Sequence, residues 1–309
     1  MVGEFSLSPV ERHGELSIRE GLLVDHRGKP VVLRGMSLFW SQWGAKFYTY
    51  HWMSLLAHDW KVDVVRAAMA VEPDGYLLCP ERELAKIYSV IDAAISLGIY
   101  VIVDWHAHRP HTESAMAFFD VISQRYGRCA NLLFEPWNEP SGSFSWADSI
   151  KPHHESVIRQ LRSQGNENVV ICGTPSHCRD VEVASEDPIS LSNVCYSLHF
   201  YAGSHREGLR MKVERASAKG ICIFASEFGL SEAHGSGVLD LAEADRWWKF
   251  LEKHRISHLN WSFFDKDETS SALRTNSYGL GLISRTKLSA SGAVVRARLR
   301  AAASNRDMA

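Results

Sequence analysis

Eight short apolar, β-branched runs recur along this chain, and between them lie stretches whose apolar residues repeat at helical spacing. The runs are Val31–Leu38, Val62–Met69, Ile99–His106, Asn131–Glu139, Val169–Thr174, Val194–Tyr201, Ile221–Phe228 and His258–Phe264. Helical patterns cover His51–Trp60, Arg82–Leu97, Glu113–Tyr126, Trp146–Ser163, Glu207–Lys219 and Leu239–His254, with a last one over Ser291–Ala302. The fifth link holds only a short helical piece, Asp180–Ala184. A strand that is apolar almost throughout is covered on both faces, which marks parallel sheet. Eight strand–helix units in succession predict the α/β class and a closed (β/α)8 TIM barrel. The 309 residues suit one barrel, for which ~250 is typical.

Gly98 and Gly220 precede strands and are expected to stop helices in the left-handed conformation. Glu15–Asp25, with Gly28, reads as a small N-terminal β-hairpin expected to cap the bottom of the barrel. Residues 1–14 read as an extension, 15–302 as a single (β/α)8 domain and 303–309 as a tail, with no further module. The rival architecture is an open doubly wound sheet, which usually carries a glycine-rich phosphate loop after its first strand. Here that strand runs into Gly35-Met36-Ser37-Leu38-Phe39-Trp40, which is aromatic instead.

Composition excludes several roles. Hydrophobic residues make up 45% and charged residues 23%, an ordinary globular balance. A net charge of −2 points neither to nucleic acid nor to an anionic membrane. No apolar run approaches the ~20 residues of a membrane span, and the first residues, which lack a charged segment followed by an apolar core, do not read as a secretory leader. The six cysteines are irregularly spaced and suggest no disulfide framework; Cys172, Cys195 and Cys222 lie in apolar runs and read as small buried residues. Ten tryptophans are a heavy load, and Trp43, Trp105, Trp137 and Trp261 fall near strand ends. Each is either a platform for a sugar ring or a large core residue.

Polar groups gather where the strands end, the face on which barrels carry their sites. Strand two ends with Arg66, strand three with His106, strand four with Asn138 and Glu139, strand six with His199 and Tyr201, strand seven with Glu227 and strand eight with Trp261. Two carboxylates facing one mouth suit glycosidic hydrolysis, one donating a proton and one attacking or directing water. Arg66 and Tyr201 are suited to keep Glu227 ionised. Glu139, between Trp137 and Pro140, is expected to stay protonated through apolar surroundings and its charged neighbour. His106 and His199 are donors that could orient the pair. Blander roles exist: a core salt bridge for Arg66, a satisfied imidazole for His106, a helix cap for Asn138. A second reading is a metal-dependent amidohydrolase-like barrel built on His106-Ala107-His108, with His111, His177, His199 and Asp265. In such barrels the His-x-His pair usually ends the first strand, and here it ends the third.

The motifs resemble glycoside hydrolase family 5, in its bacterial endo-β-1,4-glucanase branch. They are Gly35-Met36-Ser37, Val65-Arg66-Ala67-Ala68-Met69, Val103-Asp104-Trp105-His106, Asn138-Glu139-Pro140, Leu198-His199-Phe200-Tyr201-Ala202-Gly203, Ser226-Glu227-Phe228-Gly229 and Asn260-Trp261-Ser262, in that order. Asp265-Lys266-Asp267-Glu268 and Leu288-Ser289-Ala290-Ser291-Gly292 extend the match. The resemblance implies a retaining endoglucanase (cellulase), with Glu139 as acid/base and Glu227 as nucleophile. Arg66, His106, Asn138, His199 and Tyr201 would be the supporting set. Trp261 would stack under the sugar at the cleavage point, and Trp43, Lys266 and Glu268 would bind sugars on the non-reducing side. No metal or cofactor is implied. The partner would be a β-1,4-linked glucan or oligosaccharide, the enzyme a monomer, and its location extracellular with the leader removed. Mannan, xylan and mixed-linkage glucan are the alternative substrates within the family. The chain departs from the pattern at Phe39, Trp137 and Phe228. It also departs at His177, where the family commonly has a Trp on the leaving-group side.

Overall fold

The computed structural model describes residues 7–277 and 287–307. Eight parallel strands close into a barrel. After the hairpin strands β1 (Ser17–Arg19) and β2 (Leu22–Val24) they are β3 (Arg34–Leu38), β4 (Val64–Ala70), β5 (Tyr100–His106), β6 (Leu132–Glu135), β7 (Val170–Cys172), β8 (Val194–Tyr201), β9 (Cys222–Gly229) and β10 (His258–Phe263). β10 pairs with β3 to close the ring. Every residue of β4, β5, β8 and β9 is buried, because helices cover the outside and side chains fill the inside.

The helices are amphipathic as their spacing requires. Pro80–Leu97 starts with Pro at its first position and glutamates in its first turn, where the helix dipole favours them, and stops at Gly98 with φ 66°. Lys151–Ser163 buries His153, His154, Val157, Ile158 and Leu161, a stripe at helical spacing against the barrel. The last helix begins at Ala290 and runs on to Asp307, past the expected end at Ala302. Part of the Leu288–Gly292 motif stands at its start. Pro9–His13, inside the expected extension, is a helical turn with a complete Ser8/Glu11 capping box, and Val10 N–H donates to the Gly98 carbonyl.

The hairpin lies where expected. Glu20 and Gly21 both take positive φ, the two-residue turn that matches strand twist. Leu16 and Leu23 join Leu33, Val64, Ile102, Leu133, Ile171, Cys195, Phe224 and Leu259 in one buried apolar cluster at the N-terminal end of the barrel. Side chains alternate along each strand, so the next inward layer is two residues further on. That layer is polar: Arg66 above Val64, Asp104 above Ile102, Glu135 above Leu133, Ser197 above Cys195. The barrel is therefore apolar below and charged above, and the change falls under the mouth.

Candidate active site

The mouth is a cleft of about 300 Å³ whose lining includes Trp40, Trp43, His106, Asn138, Glu139, Tyr201, Glu227, Trp261, Lys266 and Glu268. Arg66 lies beneath it, fully buried, with its guanidinium spent on carboxylates. Nε donates to Glu135 at 2.6 Å, Nη2 lies 3.0 Å from Asp104, and Nη1 donates to Glu227 at 3.2 Å. Nη2 also donates to Asn138 Oδ1 at 2.6 Å, so Asn138 is held from below. Tyr201 Oη donates to the other oxygen of Glu227 at 2.7 Å.

Glu139 is held differently. Strand β6 stops at Glu135, because Pro136 has no N–H for the ladder, so Asn138 and Glu139 stand on the loop beyond it rather than on the strand. Trp137 drops into the core there, against Phe144 and His153. His153 Nε2 meets the Pro136 carbonyl at 3.0 Å and His154 Nε2 the Gly173 carbonyl at 2.9 Å, pinning the loop from behind. His199 Nδ1 reaches Glu139 Oε1 at 2.9 Å, and His177 Nδ1 reaches Oε2 at 3.2 Å. The Glu139 side chain is 18% exposed, against 7% for Glu227. One oxygen of each glutamate and a ring nitrogen of His199 lie within 4.8 Å of one another. That is too close for the ~6.5–9.5 Å gap that seats a water between two carboxyls.

The charge distribution differs from the sequence expectation. Glu139 does not sit among apolar groups that would keep it protonated: its two imidazole partners outweigh burial and hold it well below the usual carboxylate range. Burial pushes Glu227 upward, and the charge on Glu139 adds to this, while His199, Arg66 and Tyr201 pull it down. Burial opposes a charge on His199, but its anionic neighbours override this and raise it well above the ordinary imidazole range. The 2.9 Å contact between His199 Nδ1 and Glu139 Oε1 ties the two directions together, each group favouring the charge of the other. Burial and Arg66 lower His106, which bonds to Asp104 at 2.7 Å and stacks on Trp261 with ring centroids 5.3 Å apart.

Of the other expected groups, Trp43 stands 55% exposed at the rim, packed on Trp40. Lys266 pairs with Glu268 at the cleft edge. Trp105 and Trp137 are fully buried core residues, not sugar platforms. The metal-site reading loses its ligand set. His106 turns to Asp104, His111 pairs with Glu72, Asp265 pairs with Lys46, and His108 points to the surface near Trp40. Among the described residues the one group able to converge on an ion is Glu139, His199 and Glu227 themselves.

Sequence reasoning missed Glu135, Asp104, Ser197 and Ser226. Ser226 Oγ donates to Glu135 Oε1 at 2.7 Å and lies 3.1 Å from His199 Nε2, so it links His199 to the buried charges. Asp104 and Ser197 lie two residues before His106 and His199, and period-two alternation places them on the same inward face.

A closed parallel barrel that brings two carboxylates this close at the C-terminal ends of its strands, in a cleft walled by indole rings, defines a barrel glycoside hydrolase. The chain belongs to glycosyl hydrolase family 5: that family's cellulase model matches residues 24–267. It is 38% identical over 288 residues to an endoglucanase of Clostridium saccharobutylicum, covering 92% of this chain and 64% of that protein. It is 39% identical over 303 residues to Endoglucanase N of Pectobacterium atrosepticum, covering 96% and 68%. The chain thus spans about two thirds of the length of these relatives. The catalytic domain of Thermobifida fusca endoglucanase Cel5A, solved with cellotetraose, superimposes with a TM-score of 0.91 at 34% identity, covering 95% of this chain and all of that one.

Proposed function

We propose that this protein is a retaining endo-β-1,4-glucanase, with the barrel of residues 15–302 as its catalytic unit. The observation that carries the reading is the close approach of Glu139 and Glu227 in two different settings. Glu227 is gripped from below by Arg66 and from the side by Tyr201, the setting of a group that attacks as an anion. Glu139 stands nearer the solvent, where a leaving sugar would arrive, and His199 reaches it through one hydrogen bond.

Glu227 attacks the anomeric carbon while Glu139 protonates the departing oxygen, and the bond between the two sugars breaks as the ester to Glu227 forms. Glu139 then takes a proton from water, whose oxygen displaces Glu227 and releases the sugar. Asn138 Nδ2 is suited to donate to a sugar hydroxyl. Trp261 offers a ring under the sugar at the cleavage point, and Trp43 with the Lys266–Glu268 pair would hold sugars further along. Relatives named endoglucanases, and the cellotetraose held by the Thermobifida fusca enzyme, support β-1,4-glucan as the substrate. A polymer of that size meets its enzyme outside the cell, and no described helix is long and apolar enough to cross a membrane.

The test pairs two variants on two substrates. Glu227→Gln abolishes turnover of both cello-oligosaccharide and an activated aryl cellobioside. Glu139→Gln stops the first and spares glycosyl-enzyme formation from the second, whose leaving group needs no proton. Equal behaviour of the two variants refutes the assignment of roles. Reducing-sugar release from mannan, xylan and mixed-linkage glucan, compared with carboxymethyl cellulose, tests the substrate class.

A further inference from the structure

The turn that follows β7 points an imidazole straight at Glu139. Ser176, His177 and Cys178 all take left-handed backbone angles, with φ of 59°, 57° and 56°. Left-handed backbone is unfavourable for a residue with a side chain, so three in a row persist only where surrounding contacts demand it. Those contacts run to three successive residues of the opposite loop. Cys178 Sγ donates to the Asn138 carbonyl at 3.1 Å, His177 Nδ1 meets Glu139 Oε2 at 3.2 Å, and His177 N–H donates to the Pro140 carbonyl at 3.0 Å. Thr174 Oγ1 ties the base of the turn to the Ser197 carbonyl at 3.1 Å. The His177 side chain is nevertheless 47% exposed, so it lies between solvent and Glu139.

We propose that His177 is a positioning residue for Glu139: it holds one carboxylate oxygen in the free enzyme, and an incoming leaving-side sugar displaces it before the proton is delivered. This rests on the reading of Glu139 as the acid/base. The two imidazoles take one oxygen each, and a glycosidic oxygen that approaches Oε2 from solvent meets His177 first. His199 is buried and anchored through Ser226. His177 is exposed and is the one able to swing out.

The pH consequence depends on which neighbours carry charge. Facing Glu139 are Cys178 on the same turn, His199 and Tyr201 on β8, His205 beyond it, Glu227 on β9 and His106 on β5. Burial keeps the Cys178 thiol, the Tyr201 phenol and the imidazoles of His205 and His106 neutral. The charges left are the His199 cation and the Glu227 anion. Arg179 turns away, toward the Ser176 carbonyl and His205. His177, like His199, stabilises the Glu139 anion through its hydrogen bond. With Glu139 held low and Glu227 pushed up, Glu139 is the group that titrates at the lower pH, so its ionisation sets the acidic limb of the free enzyme and this grip brings that limb to lower pH.

The test uses His177→Phe, which keeps a ring and loses the donor, and His177→Asn, which keeps a donor at the Nδ1 position and tolerates a left-handed backbone. The readout is the pH dependence of kcat/KM and of kcat on a cello-oligosaccharide of defined length. His177→Phe moves the acidic limb of kcat/KM up by about one pH unit, a tenfold change in the ionisation constant of Glu139. His177→Asn leaves that limb within about 0.3 unit of the parent. The limb of kcat stays in place in both, because kcat reports the complex, in which His177 has already withdrawn. An unmoved kcat/KM limb in His177→Phe, or the same shift in both variants, overturns the proposal. Glu139→Gln is measured alongside: if it still turns over the cello-oligosaccharide, what fails is the acid/base reading of Glu139, whatever His177 does.

Discussion

Tyr201 gives the sharpest handle on which glutamate attacks. Its Oη lies 2.7 Å from Glu227 Oε1, both groups are buried, and the second oxygen keeps Arg66 at 3.2 Å. Tyr201→Phe removes that one donor and leaves the ring, which packs so tightly over Gly229 that no side chain fits there. A hydrogen bond to a charged acceptor is worth ~1.5–3 kcal/mol, and each pKa unit corresponds to ~1.4 kcal/mol. The bond favours the ionised carboxylate, so losing it raises the Glu227 pKa by about 1–2 units. A nucleophile must be ionised, so the acidic limb of kcat/KM moves to higher pH by the same amount. At a pH within the old plateau but below the new limb, activity falls ~10–100-fold.

The assay is kcat/KM between pH 4 and 9 on an activated aryl cellobioside, for which protonation by Glu139 is unimportant. Activity recovers toward the parent value at high pH, and the thermal midpoint barely changes. A loss of equal size at every pH, with the limb in place, refutes the claim that Tyr201 acts by keeping Glu227 ionised.

Other perturbations follow from particular contacts. His154 is buried and neutral, with its pKa pushed down to about 3 chiefly by burial. The unfolded chain takes up a proton near pH 6.5 that the fold refuses, so stability is full above that pH and falls as pH drops toward 3. At pH 4.5 the loss is about 2–3 kcal/mol. His154→Gln flattens the difference between pH 7 and 4.5 by that amount in urea titrations, and a parent–variant difference that stays constant with pH speaks against it. Trp43→Ala removes an exposed rim ring from the cleft; KM for long cello-oligosaccharides rises ~5–20-fold with kcat unchanged, the signature of uniform binding, and a fall in kcat alone would place Trp43 elsewhere in the cycle. Gly35→Ala puts a Cβ 1.8 Å from the Val64 carbonyl of the neighbouring strand; destabilisation of ~3 kcal/mol or more is expected by urea midpoint, and a stable variant would show that the barrel yields at that seam.

How much of this was legible in the sequence follows from chain parity. The eight apolar runs and their helices imply parallel sheet covered on both faces, and an aromatic stretch in place of a glycine-rich loop after the first strand favours the barrel over an open doubly wound sheet. Inward direction on β5 is set by His106, so Asp104 must also face in and Trp105 must face out, into the helix layer. That parity decides Trp105, which the residue type alone leaves open between rim platform and core residue. Parity fails after Glu135, since Pro136 ends the ladder and Trp137 turns out against His153 and His154 of the helix layer while Glu139 turns to the mouth. Nothing in the residue types signals that rotation. The direction of His177 is just as hidden, because it depends on three left-handed residues held by contacts from a loop 38 positions away. Mutual charges are hidden for the same reason: Glu139 looks apolar to its sequence neighbours and meets two imidazoles in space.

Those charges bear on why so polar a layer sits inside a barrel at all. Asp104, Glu135, Glu139 and Glu227 converge above the apolar floor, against Arg66 and the His199 cation. The excess is negative, and burial alone would drive protons onto it. Arg66 limits that by touching three of the four carboxylates while remaining fully out of reach of the cleft. A cation in the cleft itself would also keep Glu227 ionised, but it would oppose the positive charge that develops on a sugar ring as the glycosidic bond breaks. Placed beneath, the guanidinium holds the nucleophile as an anion and leaves the field at the sugar negative, fixed in advance by buried contacts. The layer is therefore unfavourable for packing and favourable for one charge distribution, that of an oxocarbenium-like transition state.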